Sequence, residues 1–109
     1  MDEFVFCEHV IQSENDKIKF IANHYGLWHQ LGKLSEECSE LSIEAIKSIN
    51  EGKLTVNIVQ EIADVEIMLE QIKHLAGIDE ALVKGAKTYK INRQIMRMRQ
   101  EEKKDVHMQ

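Results

Sequence analysis

Proline is absent from the 109 residues and glycine occurs only five times, so little interrupts a helical hydrogen-bond ladder. Two cysteines, Cys7 and Cys38, are too few for a disulfide framework or for four zinc ligands. Cys38 falls on an apolar helical stripe and is expected to be a small buried hydrophobe. A basic surplus is missing too. The formal net charge of -5 offers no uniformly basic surface to grip a phosphate backbone by counterion release, which argues against general nucleic-acid binding. No apolar run is long enough to span a bilayer, and the first residues, MDEFVFCEHVIQ, are acidic and interrupted rather than signal-like. A cytoplasmic location with no membrane partner is therefore expected. Internal repeats, low-complexity stretches and an Asp/Gly-rich calcium loop are also lacking.

What remains is rich in helix formers. Hydrophobic residues make up 43% and charged residues 30%, a globular composition, and the length suits a single domain over residues 1–109. Abundant Glu, Lys, Ile, Leu and Gln predict an all-α fold. Gly26, Gly52 and Gly77 divide the chain into four segments, each with a helical apolar period.

The first helix is predicted from an N-cap at Ser13, with Asp16 at the third helical position completing a capping box, to His24; residues 1–12 are expected to form an arm or short helix. The second spans Leu27–Glu51, with a stripe of Leu27, Leu31, Leu34, Cys38, Leu41, Ala45 and Ile49, and stops at Gly52. The third starts from Thr55 as N-cap and runs to about Leu75, burying Ile58, Ile62, Val65, Leu69 and Ile72. A fourth begins at Asp79 and passes Arg99, leaving about residues 100–109 as a frayed tail. Short connections after the second and third helices predict an antiparallel four-helix bundle. So small a bundle is expected to pair with copies of itself, as a dimer or tetramer.

Acidic residues crowd both central helices, and position on the helical wheel separates them. At about 100° per residue, Glu37 borders the stripe of the second helix, with Glu40 roughly 60° beyond it on the far side. Glu61 and Asp64 stand in the same relation to the stripe of the third helix. Antiparallel packing through those stripes brings the two i, i+3 pairs to one edge of the interface. Four unneutralised carboxylates would repel one another, and Mg²⁺, a hard cation that keeps positions open for substrate phosphates, resolves the conflict. Calcium or manganese can use similar ligands. Solvated helix faces that match by accident are the plain alternative.

The strings KLSEECSELSIEAIK (Lys33–Lys47) and EIADVEIMLEQI (Glu61–Ile72) carry E-x-x-E and E-x-x-D patterns, Glu37-Cys-Ser-Glu40 and Glu61-Ile-Ala-Asp64. With HYGLWHQLGKLSEE before them and YKINRQIMR after, the chain resembles, over residues 24–97, the all-α nucleoside triphosphate pyrophosphohydrolases of the MazG-like superfamily. The resemblance implies hydrolysis between the α- and β-phosphates of an NTP or dNTP, with the four acids holding Mg²⁺, for which Mn²⁺ can substitute. Lys87, Lys90 and Arg93 recur at spacing three and can either meet the β- and γ-phosphates or form a solvated basic face with i, i+4 partners. Trp28, His29 and Gln30 are candidates for stacking on and reading the base, and Asn92 matches a polar position of the basic helix in some relatives. Met68 stands where certain deoxycytidine-preferring relatives have an aromatic residue. Glu36 reads as a solvated acid, and His9, His24, His74 and His107 lack metal-ligand spacing. Two other readings stay open: a helical interaction module without catalysis, and a related phosphohydrolase acting on a nucleotide such as phosphoribosyl-ATP.

Overall fold

The computed structural model describes residues 13–108, and the regular structure in them is entirely α-helical. The four helices are α1 (Glu14–Tyr25), α2 (Leu27–Glu51), α3 (Ile58–Ala76) and α4 (Glu80–Met108). The expected arm or short helix over 1–12, with Cys7 and His9, lies outside the described residues. Two compact units part after Gly77, the first containing α1–α3 and the second α4.

Local chemistry accounts for the helix ends. Ser13 has extended backbone angles and its Oγ accepts the Asp16 N–H at 3.0 Å, satisfying one of the donors left over in the first turn of α1. Gly26 closes α1 and opens α2 at once, with φ 88°, so the chain turns without a linker. Gly52 takes the left-handed conformation, φ 72° and ψ 19°, and its N–H reaches the carbonyls of Ile49 and Ser48.

Thr55 does not cap α3. The helix starts three residues later, with Asn57 as its flanking residue and no side-chain cap. Thr55 is diverted to α2: its Oγ1 donates to Glu44 Oε2 at 2.7 Å, and its N–H donates to Ser48 Oγ at 3.1 Å.

In the second unit, Asp79 Oδ1 accepts the Ala81 N–H at 3.0 Å, and α4 begins at Glu80. The helix then continues to Met108 instead of fraying after Arg99, since Gln100 to Lys104 are all good helix formers. Its described side chains are exposed, except for half-buried Val83.

Helices α2 and α3 form the main interface of the first unit, and α1 packs chiefly on α3. Their register is antiparallel. Gln30 meets Gln71 away from the turn, Glu37 lies near Asp64 midway, and Glu44 meets Thr55 at the turn.

The buried side of α2 differs from expectation. Gln30, Glu37, Glu44 and Ser48 are its buried residues, whereas Leu27, Leu31, Leu34, Leu41 and Ala45 are half-buried. Cys38, expected to be buried, is exposed, and Ile49 is 78% exposed. The face turned toward α3 is thus rotated by roughly 80° from the apolar stripe toward the acids. Gln30, Glu44 and Ser48 can be buried there because each is hydrogen-bonded. On α3, Met68 and Gln71 are buried, while Ile62 and Leu69 remain largely exposed.

Candidate metal centre

The rotation of α2 carries Glu37 into the interface, where its carboxylate meets the acids of α3. One oxygen from each of Glu37, Glu61 and Asp64 lies within 4.8 Å of the other two. Glu40, one turn after Glu37, approaches from the exposed side, close enough to Glu61 to act on it by charge and by hydrogen bonding. All four predicted acids therefore gather in one neighbourhood, with three in mutual reach of a single cation.

The electrostatics reflect this crowding. Burial, then the charge of Glu40, pushes the Glu37 carboxyl above its ordinary range; Asp64 adds to the rise, and a hydrogen bond from Lys33 opposes it. The Glu61 carboxyl is likewise raised, by burial first and then by the charges of Glu40, Asp64 and Glu37. Lys33 Nζ stands 3.4 Å from both Glu37 Oε1 and Glu36 Oε2, and these two carboxylates hold its own pKa above the usual lysine range. Lys33 was not among the predicted site residues, although its position four residues before Glu37 was a usable signal. Glu36 is exposed and serves only as the second partner of Lys33.

Hydrogen bonding distinguishes this centre from the rest of the interface. Gln30 Nε2 donates to Gln71 Oε1 at 2.6 Å, and Gln30 Oε1 accepts from His29 Nδ1 at 2.7 Å. Glu44 accepts from Thr55, and Ser48 Oγ donates to the Glu44 carbonyl at 2.8 Å. Two buried side-chain oxygens among the described residues have no such partner, Glu37 Oε2 and Glu61 Oε2. Unpaired buried acceptors are costly, and two on facing carboxylates fit a hard divalent cation, which takes oxygen ligands.

The other predicted site residues are placed less uniformly. Gln30 is buried on the same side of α2 as Glu37, two turns away, with its amide already engaged by Gln71 and His29. Trp28 is 82% exposed and lies about 180° around α2 from Glu37, so it points away from the acids. His29 stacks on Tyr25 with ring centroids 4.7 Å apart. Lys87, Lys90 and Arg93 are exposed along one arc of α4, and Asn92, also exposed, lies roughly 100° outside that arc. Buried Met68 lies beside the acids on the wheel, one turn after Asp64. His74 Nε2 pairs with Asn23 Oδ1 at 2.9 Å, tying α3 to α1, which leaves it a structural role. No helix among the described residues is long and apolar enough to cross a membrane. No protein-family model, curated protein or solved structure matches this chain.

Proposed function

We propose that the protein is a Mg²⁺-dependent nucleoside triphosphate pyrophosphohydrolase that cleaves the α–β phosphoanhydride of an NTP or dNTP, releasing the monophosphate and pyrophosphate. One observation carries the proposal: oxygens of Glu37, Glu61 and Asp64 meet across two helices, and two of these carboxylates keep buried oxygens unpartnered. These positions coincide with the E-x-x-E and E-x-x-D patterns of the MazG-like resemblance.

Glu37, Glu61 and Asp64 would hold the metal, with Glu40 at its solvent side. When bound, Mg²⁺ supplies neutralisation of the triphosphate and a water acidic enough to attack, and Mn²⁺ can use the same oxygens. Lys33 restrains Glu37 from outside the cluster and offsets part of its charge. The Gln30–Gln71 pair fixes the side of the interface next to the acids. Lys87, Lys90 and Arg93 provide cations of the kind that bind β- and γ-phosphates. Such an enzyme would act in the cytoplasm on the nucleotide pool.

The test is pyrophosphate release from a panel of NTPs and dNTPs with and without Mg²⁺. Turnover is expected only with the metal and is abolished in Glu40→Ala and Asp64→Ala. Folded protein that neither binds Mg²⁺ nor turns over any common nucleotide would overturn the proposal. Identification of products other than a monophosphate and pyrophosphate would point to a related phosphohydrolase.

A further inference from the structure

Glu37 presents its two carboxylate oxygens to different surroundings. Oε1 lies 3.4 Å from Nζ of the exposed Lys33, while Oε2 is buried and has no hydrogen-bond partner. With the residue as a whole only 7% exposed, the boundary between the α2–α3 interface and solvent falls across one carboxylate.

Lys33 is also held by Glu36, whose Oε2 stands 3.4 Å from the ammonium. Residues three and four apart are neighbours on a helix surface, so the Glu36–Glu37 doublet brackets a cation one turn earlier on α2. The α3 half of the centre is built differently. Four residues before Glu61 stands Asn57, exposed and uncharged, and the side chains acting on the Glu61 carboxyl are the acids Glu40, Asp64 and Glu37. The two acidic pairs match on the helical wheel, yet it is Glu37 that has an oxygen engaged by a cation of the protein itself.

We infer that Lys33 is a positioning residue of the metal centre: by engaging Oε1 it leaves Glu37 a single oxygen, Oε2, for the cation, and so sets the centre for a small octahedral ion. The inference rests on the reading of Glu37, Glu61 and Asp64 as metal ligands and adds to it a preference among ions.

Coordination chemistry supplies the preference. Mg²⁺ requires near-octahedral geometry, which single carboxylate oxygens and waters satisfy, and Mn²⁺ favours the same oxygen set. Ca²⁺ is larger, takes about six to eight oxygens and accepts carboxylates that chelate through both. Engagement of Oε1 by Lys33 denies Ca²⁺ the second oxygen of Glu37 and removes nothing that Mg²⁺ uses. A cation that only neutralised charge would act otherwise. Its removal would raise the affinity for every divalent ion by a similar factor, because the Coulomb term depends on charge and distance. Positioning changes the ratio between ions.

Mn²⁺ is the probe, followed by the EPR signal of the free ion, with Ca²⁺ added in competition. The unsubstituted protein should bind Mn²⁺ in preference to Ca²⁺, and Asp64→Ala should lose that binding. Lys33→Met should raise the ratio of Ca²⁺ to Mn²⁺ affinity about tenfold, the lower end of what partners behind a metal ligand supply. Lys33→Arg, which keeps a cationic donor beside Oε1, should retain the original preference. Both variants lie at an exposed position in an i, i+4 pair that contributes little to stability, and both should stay helical by circular dichroism. An equal rise for the two ions in Lys33→Met would make Lys33 a neutralising charge and overturn the inference, as would an unchanged ratio. Mn²⁺ binding that is absent, or that survives Asp64→Ala, would overturn the reading of the acids as ligands and this inference with it.

Discussion

Glu37 and Glu61 hold the most informative atoms of the molecule, because each keeps a buried carboxylate oxygen without a hydrogen-bond partner. Both carboxyls are raised above the ordinary value of 4.5, by burial first and neighbouring acids next. A carboxyl whose folded pKa is raised binds its proton more tightly in the folded chain than in the unfolded one. Its contribution to stability is complete below about pH 4.5 and is lost as pH rises through the raised pKa. Without metal, Glu37→Gln and Glu61→Gln should therefore raise the melting temperature at neutral pH and leave it almost unchanged at acid pH. Ligation of a divalent cation needs the deprotonated form, so the stabilisation given by Mg²⁺ should grow as pH rises above the ordinary carboxyl value of 4.5 and through the raised range. Thermal melts with Mg²⁺ or EDTA at several pH values check both. An Mg²⁺ shift of equal size in the two glutamine variants would show that the cation binds elsewhere.

Among the elements, the turn between α2 and α3 separates what was legible in the sequence from what was not. Gly52 and the Leu27–Glu51 bounds could be read because a left-handed C-cap is a local requirement. Thr55 could not be read correctly, because its hydroxyl is taken by Glu44, eleven residues away, and such a competition between local and tertiary partners leaves no spacing signature. The acidic quartet was legible since two i, i+3 pairs repeat the same relation to their stripes. Its centring was misjudged: an apolar stripe was assumed to mark the inside of one chain, and Glu37, not Cys38, occupies that inside. Thr55→Val should leave the buried Glu44 oxygen without its closest donor and cost about 1–3 kcal/mol in urea unfolding. Gly52→Ala forces a Cβ into left-handed backbone, at roughly 1–2 kcal/mol. Neither change touches the acids, so the Mg²⁺ shift should persist in both. Its loss would tie the turn to the metal centre.

At the scale of the whole molecule, the first unit has a polar seam between α2 and α3 with acids along one edge, and α1 is tied to α3 by the His74–Asn23 hydrogen bond. The Mg²⁺ shift tests whether these parts act separately, since ligand binding to the folded state raises stability by mass action. Perturbations at sites that share no partners add to within about 0.5 kcal/mol. If the α1–α3 tie and the acidic edge are separate, the stabilisation by Mg²⁺ should be the same in His74→Ala as in the unsubstituted protein within that margin, when both are measured at one pH and saturating metal. A larger coupling would mean that the packing of α1 on α3 positions the acidic centre, and the three helices would then act as one.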